Sequence, residues 1–214
     1  MWVRKKVVPL QPGKSYTACT PRIPPGLDRS KGIGLSRRDV VSLPFFRIIM
    51  PLEKYFRILR DNGADIACEI HPSGINVAAW PVMKCRYGCP NYGHNRSCPP
   101  FAPVYDETRR ILECYSRAIL FSVHDMNAGT PAALACMRAL VADGYYKAIA
   151  FGTGPCRRCE KCTPANCPHP MDVAPSPEAC GIDLVATVRS HNLPISMPPA
   201  EGEPLHCYGI ILVE

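Results

Sequence analysis

Residues 156–170 read CRRCEKCTPANCPHP, with four thiols inside twelve residues. No other stretch limits the fold of this chain so tightly. Two cysteines separated by two residues can turn both sulfurs onto one centre, with the intervening backbone N–H groups facing the same sulfurs. A third cysteine at the same step wraps the chain around a compact object. Zinc knuckles take such residues in pairs, the second pair arriving from a distance. Three in succession, then a cysteine followed by proline, is the habit of iron–sulfur ligands, as in C-x2-C-x2-C-x3-C-P. Here the last spacing is four rather than three, and Cys167-Pro168 keeps the proline. Cys156, Cys159, Cys162 and Cys167 therefore read as metal ligands, departing in one spacing from a ferredoxin repeat.

A second constellation lies upstream in KCRYGCPNYGHNRSCPP, which supplies Cys85, Cys89 and Cys98, while Cys180 stands thirteen residues beyond Cys167. Three upstream cysteines do not complete a four-thiolate site. Added to Cys156, Cys159, Cys162, Cys167 and Cys180 they make eight, enough for two [4Fe–4S] clusters. In two-cluster ferredoxins the fourth cysteine of a run serves the other centre. By that logic Cys167 would complete the Cys85/Cys89/Cys98 site and Cys180 the Cys156/Cys159/Cys162 site. Lys84, Arg86, Arg96, Arg157, Arg158 and Lys161 stand beside these cysteines, and cations lower a thiol pKa and offset the charge of a sulfur-ligated metal. His94 and His169 read as neighbours of the sites rather than ligands. Cys114 and Cys136 fall in expected helices and Cys68 and Cys207 in expected strands, where a small buried hydrophobe is the ordinary role.

Several other chemistries find no support. Radical S-adenosylmethionine enzymes use C-x3-C-x2-C, and Cys85-x3-Cys89 begins that way, but the third position is Tyr92, which is no thiolate. Gly152-Thr153-Gly154-Pro155 lacks the Lys-Ser/Thr of a phosphate loop, and its proline removes an N–H; it reads as the turn leading to Cys156. His124-Asp125 has no partnered serine or cysteine, so hydrolase chemistry has no basis.

Charge argues against nucleic acid despite a formal net charge of +7. Residues 1–49 hold ten Lys or Arg and two Asp or Glu, whereas the rest hold fifteen and sixteen. The excess sits in one terminal segment rather than on the face of a fold that grips phosphates. Residues 1–49 mix Pro, Gly and basic residues without an apolar period, and are expected to form a disordered or extended arm. The folded unit is expected to run from Met50 to Glu214. No stretch of about 18 apolar residues supports a membrane span, and VVSLPFF is too short and too far in for a secretory signal. The cytosol is then the expected compartment, where thiols stay reduced and closely spaced cysteines serve metals or redox chemistry.

Elements alternate beyond Met50. Leu52, Tyr55, Phe56 and Leu59 stand at i, i+3, i+4 and i+7, a helix that Asn62-Gly63 closes. ADIACEIHPSGINVAAWPV reads as two strands joined in a hairpin at Pro72-Ser73-Gly74. A helix is expected over residues 104–116, then a strand over Ala118–His124. Thr130-Pro131 opens a further helix, followed by a strand over Tyr145–Phe151. Ser176-Pro177-Glu178 opens the last helix, and Cys207–Val213 the last strand. The alternation predicts an α/β fold, a single sandwich-like domain with two cysteine-rich metal-binding loops.

KC-x3-CP-x-YG-x3-SCPP, GPC-x2-C-x2-C, CPHP and PSPEACGID-x2-ATV together resemble a family of predicted metal-binding proteins built around a domain of unknown function, found in archaea and anaerobic bacteria. The resemblance spans about residues 52–213. It implies metal binding through these cysteines and supplies no substrate, reaction or partner. The reading that follows is an iron–sulfur protein with one or two [4Fe–4S] clusters, serving electron transfer with a redox partner protein and engaging neither membrane nor nucleic acid. A structural zinc domain used for protein interaction is the alternative. An enzyme whose incompletely ligated iron binds substrate is a third reading, favoured only by the odd ligand number of the upstream group.

Overall fold

The structure, a computed structural model, describes residues 51–214. Cys19, the basic arm and the expected boundary at Met50 lie outside the described residues. Helix α1 spans Glu53–Asp61, as the apolar spacing predicts, and buries Tyr55 and Leu59. Strand β1 follows at Ala64–Ile70, alternating buried and more exposed positions.

The four strands form one antiparallel sheet in the order β1-β2-β4-β3, with β2 at Ala118–Val123, β3 at Ile149–Phe151 and β4 at Cys207–Leu212. Every side chain of β2 and β4 is buried, because both faces of the sheet are covered. On one face, Leu52, Tyr55 and Leu59 of α1 and Ala133, Cys136 and Leu140 of helix α4 (Met126–Ala142) pack on Ile119, Phe121, Val123 and Ile211. On the other, Ile66, Leu120, Tyr208 and Ile210 meet Leu112 of α3 (Tyr105–Leu112) and Leu184 and Val188 of α5 (Leu184–Ser190). Side chains of this size contribute about 1.5–3 kcal/mol each when fully buried. The expected α/β single domain is thus realised as helices on both faces of an antiparallel sheet.

Several expected elements are corrected. The hairpin at Pro72-Ser73-Gly74 is absent: these residues make one 3-10 turn, and β1 pairs with β2 instead. The segment after the turn makes only a bridge, Val77 to Ile182. Residues 80–88, expected as the end of a strand running into a cysteine-rich loop, form helix α2 (Trp80–Gly88) with Pro81 in its first turn, where a missing N–H costs nothing. Helix α4 begins at Met126 rather than at Thr130-Pro131, because the Asp125 carboxylate accepts from Asn127 N at 2.9 Å and caps it. Pro131 falls inside that helix, and Thr130 Oγ1 is occupied by Thr153 N at 3.1 Å. Ser176 Oγ accepts from Ala179 N at 3.3 Å beside only a single turn, Glu178–Cys180, and α5 starts at Leu184, capped by Asp183, whose carboxylate accepts from Ala186 N at 3.0 Å. The strand expected from Tyr145 begins only at Ile149, since Tyr145 and Ala148 close a turn onto Leu140 and Tyr145. Helix α3 stops at Leu112, which leaves Cys114 exposed rather than in a helix core; Cys68, Cys136 and Cys207 are buried as expected.

Candidate metal centre

The downstream cysteines are gathered by a loop without regular structure apart from one 3-10 turn at Pro164–Asn166. Cys156, Cys159, Cys162 and Cys167 line one small cavity, together with Arg96, Arg158 and His169. Cys167 therefore lines the same cavity as its sequence neighbours.

Upstream, Cys85 lies on α2 and Cys89 is the residue that ends it, its N–H donating to Cys85 O at 3.2 Å. The chain then turns twice, with Tyr92 N on Cys89 O and Cys98 N on Asn95 O. Cys180 reaches the same neighbourhood from the far side of the sequence. Ala78 N donates to Gly181 O at 2.8 Å and Asp183 N to Asn76 O at 2.8 Å, so the stretch just before α2 is tied to the stretch around Cys180. The buried Thr108 hydroxyl of α3 donates to Cys180 O at 2.7 Å. Gly181, at φ 77°, makes the turn; a Cβ there would come within 2.9 Å of Ala78 O. Cys180 is fully buried, and Cys85 is among the charges that act on it.

The two groups are stitched together by Asn95 and Ser97, both buried. Asn95 Nδ2 donates to Cys156 O at 2.7 Å, and Cys156 N donates to Ser97 Oγ at 2.8 Å. The Ser97 hydroxyl and N–H in turn donate to Asn95 Oδ1 at 2.9 and 3.1 Å. Each polar group of this knot is satisfied, the condition under which buried polar networks stabilise one geometry. Arg96 N–H donates to Cys162 Sγ at 3.4 Å, a backbone donor from the upstream loop aimed at a downstream sulfur. The spacing of cysteines carries no signal for Asn95 or Ser97.

Thiol acidity runs opposite to the expectation from neighbouring cations. Burial pushes Cys98 up to about 11, with the Ser97 hydroxyl pulling down and Cys89, Cys85 and Cys162 adding to the rise. Burial, Cys89 and Glu178 raise Cys85. Burial, then Glu178, Glu107 and Cys85, raises Cys180. The flanking cations are turned to other partners: Lys84 lies over the Trp80 ring, Arg86 donates to Tyr92 Oη, Arg96 to Pro164 O, Arg157 to Asn127 Oδ1, and Arg158 pairs with Asp172. At Cys85, Cys98 and Cys180, thiols held protonated first by burial and then by neighbouring groups become thiolates when a cation enters among them. His94 is exposed in a turn, whereas His169 belongs to the wall of the downstream cavity.

No curated protein and no solved structure matches the chain. Residues 68–213, which contain all eight of these cysteines, match the family described as "Predicted metal-binding protein (DUF2284)". With more than half of its length matched, the chain belongs to that family of predicted metal-binding proteins.

Proposed function

We propose that the protein is an iron–sulfur protein with two adjacent [4Fe–4S] sites that pass single electrons to a partner protein in the cytosol. Cys156, Cys159, Cys162 and Cys167 would hold one centre; Cys85, Cys89, Cys98 and Cys180 would hold the other. The observation that carries this reading is that Cys156, Cys159, Cys162 and Cys167 line one cavity, while Cys85 lies near enough to act on both Cys98 and Cys180 and Asn95 and Ser97 join the upstream loop to Cys156.

The donor set fits the group. Four thiols per site, with backbone N–H groups near the sulfurs, match cubane ligation. The run C-x2-C-x2-C followed by Cys167-Pro168 favours a cluster over a single zinc, whose ligands come in separated pairs.

When bound, such a cluster supplies a one-electron redox change. The chain does the rest. The Arg96 N–H on Cys162 Sγ stabilises added negative charge on that sulfur and thereby raises the potential of its centre. Burial of Cys98 and Cys180 shields one side of the upstream set, while Cys85, Cys89 and the four downstream cysteines are half-buried. Arg157, Arg158 and Lys161 are exposed there, a cationic rim suited to an acidic partner.

Purification without oxygen tests the reading. A brown protein with about eight iron and eight sulfide per chain, and an electron paramagnetic resonance signal on reduction, is expected. A colourless protein containing zinc and no iron would establish the structural zinc alternative instead, and four irons per chain would leave only one cluster.

A further inference from the structure

A second kind of site lies at the end of the sheet formed by β1, β2 and β4. Between β1 and β2, Ala64 pairs with Val123 and Ile66 with Ser122, so two steps on β1 face one on β2 and Asp65 is the extra residue. Bulges of this kind re-aim a side chain. Between β2 and β4 the last pair is Val123 with Cys207. His124 and His206, the next residues on each strand, therefore face one another, with ring centroids 5.0 Å apart.

Asp65 Oδ2 lies 3.4 Å from His124 Nε2 and 3.3 Å from His206 Nδ1, and the three ligand atoms all fall within 4.8 Å of one another. Donors bound to one ion at about 2.0–2.2 Å stand ~3–4 Å apart. His124 Nδ1 donates to Leu205 O at 2.9 Å, which fixes the tautomer that leaves Nε2 bare toward Asp65. This is the support that metal-ligating histidines ordinarily have. His206 Nδ1 also meets Ser122 Oγ at 3.1 Å. His124 is half exposed, so an ion held here would keep open positions to solvent. We propose that Asp65, His124 and His206 form a mononuclear divalent-metal site, separate from the cysteines, of the two-histidine, one-carboxylate type that leaves room for water or a substrate. Two imidazoles and one carboxylate suit zinc or ferrous iron rather than calcium or magnesium.

The test uses the full-length protein, purified without oxygen and with its cysteine-bound metal in place. It is equilibrated with excess Co2+ and freed of unbound ion. Bound cobalt is counted by elemental analysis, and its surroundings are read by X-ray absorption at the cobalt edge. One added cobalt per chain is expected, ringed by nitrogen and oxygen without sulfur. Affinity should fall at least about tenfold in both Asp65→Asn and His124→Gln, with iron content and melting unchanged. No added cobalt, sulfur in its shell, or full affinity in either variant would overturn the proposal. Cys159→Ser separates this outcome from that of the iron–sulfur reading: it should lose iron and keep the added cobalt, and a wild-type protein without any iron would leave the cobalt result standing.

Discussion

The Asn95 side-chain amide donates to the Cys156 carbonyl at 2.7 Å across sixty-one positions of chain, and so one buried residue of the upstream loop sets the height at which the downstream loop begins. Asn95→Ala strips a donor from Cys156 and an acceptor from Ser97. Leaving such groups unpaired costs about 1–3 kcal/mol. Denaturant unfolding under anaerobic conditions should give a lower midpoint with an unchanged slope, together with faster loss of iron to a chelator. An unchanged midpoint would remove Asn95 from the framework of the site.

Cys167 and Cys180 separate two groupings of the same eight sulfurs. Cys167→Ser and Cys180→Ser should each lose about half of the iron, and the spectrum lost by Cys167→Ser should be the one lost by Cys159→Ser. Cys180→Ser should instead match Cys85→Ser. Matching of Cys180→Ser with Cys159→Ser would restore the exchanged, ferredoxin-like arrangement. Cys114→Ser, an exposed thiol whose Sγ donates to Arg110 O, should leave iron unchanged.

Gly209 sits opposite Phe121 in the middle of the sheet. A Cβ there would lie 2.4 Å from the Phe121 ring and 2.8 Å from Phe151 O, and the second of these is backbone that cannot swing aside. Gly209→Ala is expected to destabilise by about 1–3 kcal/mol, the range of core overpacking. Calorimetric melting checks it; an unaltered transition would mean that the sheet yields at β3.

Asp143, at the end of α4, accepts from Lys54 Nζ and from Tyr55 Oη, each at 2.6 Å, and clips α1 to α4. Those two hydrogen bonds, Lys54 first, hold its carboxyl below the ordinary 3.8. A depressed folded-state pKa means stability that is whole above the unfolded value and lost as pH falls through the folded one. Asp143→Ala should therefore melt below wild type at pH 7, and the gap should close at a pH below 3.8. A gap that persists undiminished in acid would assign the effect to packing instead of charge.

What was legible in the sequence follows from range. Leu52, Tyr55, Phe56 and Leu59 declare α1 because helical spacing is local, and the apolar runs at residues 118–123 and 207–212 declare strands buried on both faces. The eight cysteines were visible by their spacing; the approach of Cys180 to Cys85 was not, because it depends on the long-range pairing around Val77 and Ile182. Helix α2 was hidden since its residues are chosen for cysteine placement and carry no apolar stripe. The cap of α4 was misplaced because Thr130 looks like a cap until Thr153 claims its hydroxyl. Asp65, His124 and His206 are single polar residues far apart in the chain, and only strand register makes them neighbours.

The same register has a consequence for association. A bare strand edge invites a foreign strand to extend the sheet. Here one margin is β3, three residues long, and the other is β1, irregular at Asp65 and bearing the outward carboxylate of Glu69. Among the described residues, a stray chain finds three residues of open edge on one side and, on the other, a row interrupted at Asp65 and carrying the Glu69–Arg117 ion pair, both of which disfavour extension of the sheet.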